Sequence, residues 1–85
     1  MIEILAVFRS RSQAMDCNTR LRRSGIPSNL INTPKEAGVG CGLSVKFPKE
    51  LEMHARAVVT GGRYSAFYGF MTKNENYGRI SFKWS

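Results

Sequence analysis

Cysteine and histidine are scarce in this chain: 85 residues hold two cysteines, Cys17 and Cys41, and one histidine, His54. Two cysteines outside any C-x-x-C pair exclude a disulfide scaffold, and with a single histidine they exclude a four-ligand cysteine/histidine zinc site. A Cys17–Cys41 bridge would require an oxidising compartment. Long hydrophobic runs are missing as well. The apolar stretches last only a few residues, far short of the roughly 18 that span a bilayer, so no membrane segment is expected. No paired carboxylates and no Ser/His/Asp set suggest hydrolysis. The run Gly38-Val39-Gly40-Cys41-Gly42 is glycine-rich but precedes a strand, whereas phosphate-cradling loops precede a helix. Conventional hydrolytic or redox chemistry therefore has little support in these residues.

Acids are the other shortage. Six aspartates and glutamates face 13 lysines and arginines, a net charge of +7. Part of the excess is concentrated, because Arg9, Arg11, Arg20, Arg22 and Arg23 share their stretch with the single acid Asp16. Such a cluster favours an acidic partner, an anionic substrate or nucleic acid, and it is equally the composition of a solvated helix face.

What is present is ordinary for a folded protein: 42% hydrophobic and 22% charged residues. A chain of this length supports one small core, so residues 1–85 read as a single domain. Met1 to Phe8 carries Glu3 and no basic leader. It reads as a first strand and not a signal peptide, which makes a cytoplasmic location the expectation.

Residues 2–8 are apolar on both faces, with Ile4, Ala6 and Phe8 on one and Leu5 and Val7 on the other, the pattern of a central strand covered on both sides. Ser10 and Gln13 stand at capping-box spacing and start a helix over 11–24. Ala14, Cys17 and Leu21 form its inner stripe, Arg20 and Arg23 point away, and Asp16 lies one turn before Arg20. Gly25 and Pro27 end the helix. Asn29 to Thr33 is a short strand, 34–40 a loop, and 42–47 a third strand alternating Leu43, Val45 and Phe47 against Ser44 and Lys46. Pro48 suits the first position of a second helix. Its stripe is Leu51, Ala55 and Val58, with His54 at the edge, Met53 and Arg56 outward, and Gly61-Gly62 at its end. Tyr64 to Thr72 and 79–84, joined by an Asn/Gly turn, read as a hairpin. The fold class is α+β, a ferredoxin-like β-α-β-β-α-β two-layer sandwich with an additional C-terminal strand.

That order invites RNA recognition, but the two central strands lack the exposed aromatic pair on which bases stack. The aromatics collect in the C-terminal hairpin, where they serve the core or a homodimer surface. Nucleic-acid binding, if any, should be weak, nonspecific and steeply salt-dependent.

Cys41 is the candidate chemical residue. Flanked by Gly40 and Gly42 at a loop-to-strand boundary, it lacks bulky neighbours, and glycine amides can turn toward its sulfur. A thiol so placed can be a nucleophile or a sulfur carrier. It can equally be a small hydrophobe that closes the start of a strand. Lys35 and the glycine amides are the groups that would favour the thiolate and hold its pKa below the usual value of about 8.5. Cys17, on the inner helical stripe, reads as core.

Phe8-Arg9-Ser10 followed by Ala14, Leu21-Arg22-Arg23-Ser24-Gly25-Ile26-Pro27, Ile31-Asn32-Thr33-Pro34-Lys35-Glu36 and Cys41-Gly42-Leu43-Ser44-Val45-Lys46-Phe47 are similar in order and spacing to the small DUF3343 proteins, described as selenium/sulfur carrier-like. The resemblance covers about residues 4–60, and its specific part is the Pro-x-Glu loop followed by Cys-Gly-Leu. It implies that Cys41 carries sulfur or selenium as a persulfide or selenosulfide, received from a donor such as a cysteine desulfurase, with no cofactor. Such a protein is a carrier more than an enzyme. Gly40, Gly42 and Lys35 would surround the thiol, and Arg20 and Arg23 would dock the partner. The alternative is a non-enzymatic interaction module, a homodimer or a nonspecific nucleic-acid binder, in which Cys41 is structural.

Overall fold

A strand that is apolar on both faces must be covered on both, and the computed structural model, which describes residues 2–38 and 42–74, places it accordingly. β1 (Ile2–Phe8) lies between β3 (Leu43–Pro48) and β4 (Phe67–Asn74), with β2 (Asn29–Asn32) outside β3. Every neighbouring pair is antiparallel. Ile4 to Phe8 are all buried. Helices α1 (Arg11–Arg23) and α2 (Glu52–Gly61) cover one face of this sheet, which is the ferredoxin-like two-layer sandwich expected. The additional strand at 79–84 lies outside the described residues.

The ends of α1 follow from its local sequence. Ser10 is the N-cap, extended at φ −114°, ψ 123°, and its Oγ accepts a hydrogen bond from the Gln13 amide at 3.3 Å. Only half of the expected capping box forms. The Gln13 side chain reaches instead across to the segment before β4, donating to Ser65 Oγ at 2.9 Å and accepting from the Ala66 N–H at 2.8 Å. At the other end Gly25 is left-handed at φ +84°. Its N–H bonds the Arg22 carbonyl and the Ile26 N–H bonds the Leu21 carbonyl, both at 3.0 Å. That is a Schellman motif, sealed by the apolar pair Ile26 and Leu21 in the core.

The second helix departs from expectation at its start. Pro48 does not open it. It ends β3 in an extended conformation, and one 3₁₀ turn, Lys49–Leu51, precedes α2. The phase of the buried stripe shifts with the later start, so Ala55 and Val59 are buried while Leu51 and Val58 pack at the margin. Met53 points outward as expected. Arg56 does not: its guanidinium lies 4.4 Å from the centre of the Phe70 ring, and its Nε meets Glu52 Oε2 at 2.9 Å.

β4 contains an irregularity that builds the aromatic core. Phe8 pairs with Phe67 and Val7 with Gly69, so Tyr68 is an extra residue bulged out of the ladder. The bulge brings Phe67 and Phe70, three positions apart, onto the same face, with ring centres 4.9 Å apart. Phe8 packs edge-on against Tyr64 at 5.3 Å and against Phe67 at 5.4 Å. On the opposite face Leu5, Val7 and Met71 form a smaller buried cluster with Ala37. Glu3, Ser44 and Lys46 share that face by alternation, so the two central strands present no aromatic there.

Candidate functional site

The loop that leads to Cys41 has two pinned feet. At the end of β2 the Thr33 N–H donates to the Gly42 carbonyl at 3.1 Å. Thr33 Oγ1 and the buried Ser44 Oγ share a hydrogen bond of 2.8 Å beside it. Pro34 then starts a 3₁₀ turn over Lys35–Ala37, closed by Ala37 N–H to Pro34 O and Gly38 N–H to Lys35 O, each 3.0 Å. Ala37 is 4% exposed against Leu5, Val7 and Met71, so the turn is docked on the sheet face that the helices leave uncovered. Gly38 leaves the turn at φ +71°, a backbone region that glycine enters without strain.

Gly40 and Cys41 lie outside the described residues. The next residue, Gly42, is buried at the foot of β3, and consecutive Cα atoms across a trans peptide are about 3.8 Å apart. The position of Gly42 follows from the strand register. Leu43 faces Phe8, so Gly42 is level with Arg9. On the other side of β1 the Arg9 N–H donates to the Ala66 carbonyl at 2.9 Å. The segment joining α2 to β4, the start of α1 and the Thr33–Gly42 loop thus gather at one end of the sheet.

Of the residues expected around the thiol, Lys35 and Gly42 are on this loop, and Lys35 is exposed. Arg20 and Arg23, the residues expected to dock a partner, stand on α1. Arg23 is in the last turn of α1, about 18 Å along the helix axis from Arg11. Arg20 does not point away from the protein. Its Nη1 donates to Tyr64 Oη at 3.3 Å, and the Tyr64 hydroxyl donates to Asp16 Oδ2 at 2.6 Å, so the pairing expected between Asp16 and Arg20 runs through a tyrosine. Burial, ahead of these partners, raises the pKa of Tyr64. A side chain on Gly62 would collide with both Arg20 and Tyr64, which explains glycine there. The cations brought instead to the Gly42 end are Arg9, Arg11 and Arg63. Arg9 and Arg11 were visible in the sequence as cluster members. Their nearness to Gly42 emerges only from the β1–β3 register.

Cys17 is a free thiol and fully buried among the core residues of α1. Burial pushes its pKa up to about 11, with Arg20 pulling weakly the other way and Asp16 adding to the rise. Protonated and enclosed, it is a packing residue, as its helical stripe implied. No group of three histidine, cysteine, aspartate or glutamate side chains could hold a metal ion among the described residues. No helix among them is long and apolar enough to cross a membrane.

Neither the curated proteins nor the solved structures contained a match to this chain. A family model does match, over residues 3–68, from β1 through the loop and both helices into the start of β4. The chain belongs to the family described as "Putative Se/S carrier protein-like".

Proposed function

We propose that this protein carries sulfur or selenium on Cys41, as a persulfide or selenosulfide, in the reducing environment of the cytoplasm. One observation carries the choice of residue within the family's carrier role. Cys17 is sealed in the core with its pKa at about 11, so it cannot meet a donor in the folded protein. Cys41 adjoins a loop whose feet are held at Thr33 and Gly42 and whose 3₁₀ turn is packed through Ala37. A carrier needs that combination of a fixed base and a thiol placed in a connecting segment, because donor and acceptor must both reach the sulfur.

The transfer needs no cofactor. The Cys41 thiolate attacks the terminal sulfur of a donor persulfide, R–S–SH. The new Sγ–S bond forms as the donor S–S bond breaks, and the bonding pair leaves with the donor as R–S⁻. Cys41–S–SH keeps the terminal proton, and no net oxidation occurs. The selenium version replaces the terminal sulfur by selenium. The basic residues on the molecule would serve the encounter and not the bond exchange.

The test is intact mass after incubation with a cysteine desulfurase and cysteine, before and after reductant. A reductant-sensitive gain of one sulfur is expected in the native chain and in Cys17→Ser, and none in Cys41→Ser. Retention of the gain in Cys41→Ser, or its absence from the native chain when a known acceptor in the same mixture is loaded, would refute the assignment.

A further inference from the structure

We infer that the Gly42 end of the sheet is a docking surface for an acidic protein partner, contacted through Arg9, Arg11 and Arg63. The inference rests on the carrier reading for its purpose but on separate observations for its location. Cations from three separate segments and the loop meet at the Gly42 end. At the Gly42 end, Arg9 and Arg11 flank the cap of α1, Arg63 follows α2, and Lys35 sits on the loop; all four are exposed. Among the described residues Arg11 and Arg63 have no acidic partner within ion-pair distance, and Asp16, the nearest acid of α1, is bonded by the Tyr64 hydroxyl. Glu36 adjoins Lys35 in the sequence. At the other end Glu3 faces Lys46 at 3.6 Å, Glu52 holds Arg56 at 2.9 Å and Glu50 lies beside Lys49, while Arg22 and Arg23 in the last turn of α1 stand exposed as a second, separate pair of cations.

The form of the cationic end favours a protein over a nucleic acid or a small anion. The arginines come from three separate segments and spread over a surface, whereas a small anion needs donors that converge. The exposed aromatic at this end is Tyr68, pushed out by the β4 bulge, and the Arg9 guanidinium lies over its ring at 4.6 Å from the centre. That face of the ring is therefore covered and is not a platform for a base. Arg9 is in turn steadied by the stacking, which presents a charge with less conformational freedom to lose on docking. An unbalanced positive surface around a transfer residue steers an acidic partner into register and raises the encounter rate.

The experiment titrates the isotopically labelled full chain with a short poly-glutamate peptide and, in parallel, an oligouridylate of equal charge, following backbone amide shifts. Shifts at Arg9, Arg11, Gly42 and Arg63 are expected, with tighter binding of the peptide. The triple variant Arg9→Gln/Arg11→Gln/Arg63→Gln should weaken peptide binding about tenfold, or about 1.4 kcal/mol. The equally charged control Arg22→Gln/Arg23→Gln/Lys49→Gln should change it little. Shifts centred on Arg22 and Arg23, equal losses in the two triple variants, or tighter binding of the oligouridylate would each overturn the proposal. Cys41→Ser should bind the peptide as the native chain does, so failed sulfur loading with intact peptide binding removes the carrier reading and leaves the surface standing.

Discussion

Phe8 and Leu43 stand opposite each other on β1 and β3, and this pairing sets what lies beside Gly42. It places Gly42 level with Arg9 and, through the Arg9–Ala66 hydrogen bond, brings the segment after α2 to the same end. A shift of register by one residue would turn Leu43 and Val45 from the helix-covered core onto the opposite face. The position of Gly42 at the strand foot is therefore as secure as the core itself.

Thiol labelling is the first consequence. In the folded protein an alkylating reagent should modify Cys41 and leave Cys17 untouched, because Cys17 is fully buried and protonated well above neutral pH. Mass spectrometry of proteolytic fragments after brief labelling locates the adduct. Preferential labelling of Cys17 would show α1 to be open in solution.

Cys17 also makes stability depend on pH in a defined window. Its folded pKa of about 11 lies above the ordinary value of 9.0, so between these the unfolded chain has lost a proton that the folded one retains. Stability is then full below about pH 9 and falls as pH rises toward 11. The raised Tyr64 contributes with the same sign. The difference between native and Cys17→Ala unfolding curves isolates the cysteine. Native stability should fall by up to about 2–3 kcal/mol more than that of the variant across this window.

Much of the fold was legible in the sequence because its signals are local. Apolar residues on both faces of 2–8, Ser10 before an apolar stripe, and Gly25-Ile26-Pro27 each dictate backbone geometry over a few residues, and the structure contains the central strand, the cap and the Schellman motif they imply. The errors came where one element depends on another. Val58 gave way to Val59 because a 3₁₀ turn separates Pro48 from the helix. The bulge at Tyr68, which sets Phe67 and Phe70 on one face, left no mark in the sequence reading of 64–72 as a plain strand. Arg20 looked solvated on a helical wheel, yet its long side chain reaches Tyr64, 44 positions away in the chain. The loop after Pro34 that carries Lys35 was legible as a break between two strands. The nearness of Arg9 to Gly42 was not legible, since no local pattern reports which strand lies beside which.

The tie through Tyr64 should behave as a unit. Tyr64→Phe removes the hydroxyl that joins Arg20 and Asp16 while keeping the ring against Phe8, and should cost about 1 kcal/mol given its partial exposure. Arg20→Ala in the Tyr64→Phe background should cost less than in the native chain. Denaturant titration of the two single variants and the double variant tests this; additive losses would mean that the hydroxyl bridge contributes nothing in solution.

Gly25 offers a sharper test of local backbone chemistry. With φ at +84° and open space around its Cα, alanine there meets no steric neighbour and suffers only the left-handed backbone. Gly25→Ala should lower stability by about 1 kcal/mol. Gly62→Ala, where a side chain meets Arg20 and Tyr64, should lower it further and disturb the Tyr64 tie as well. An unfolding midpoint for Gly62→Ala at or above that of Gly25→Ala would reverse the ranking.

The cationic end of the sheet predicts a charge preference at the thiol that does not depend on any partner. Iodoacetate and iodoacetamide consume the same thiolate, so the ratio of their rates at Cys41 cancels its ionisation and reports the local potential. Arg9, Arg11 and Arg63 gather around the strand foot to which Cys41 is joined, and the anionic reagent should therefore gain several-fold over its rate ratio on a free cysteine peptide. The gain should shrink as added salt shortens the screening length to a few ångströms. It should also shrink in Arg9→Gln/Arg11→Gln/Arg63→Gln and persist in Arg22→Gln/Arg23→Gln/Lys49→Gln, because the control charges lie at the far end of the sheet. A ratio equal to that of the peptide, unmoved by salt or by either variant, would mean that the thiol does not sense the arginine surface. Electrostatic guidance of a partner to Cys41 would then have no physical basis.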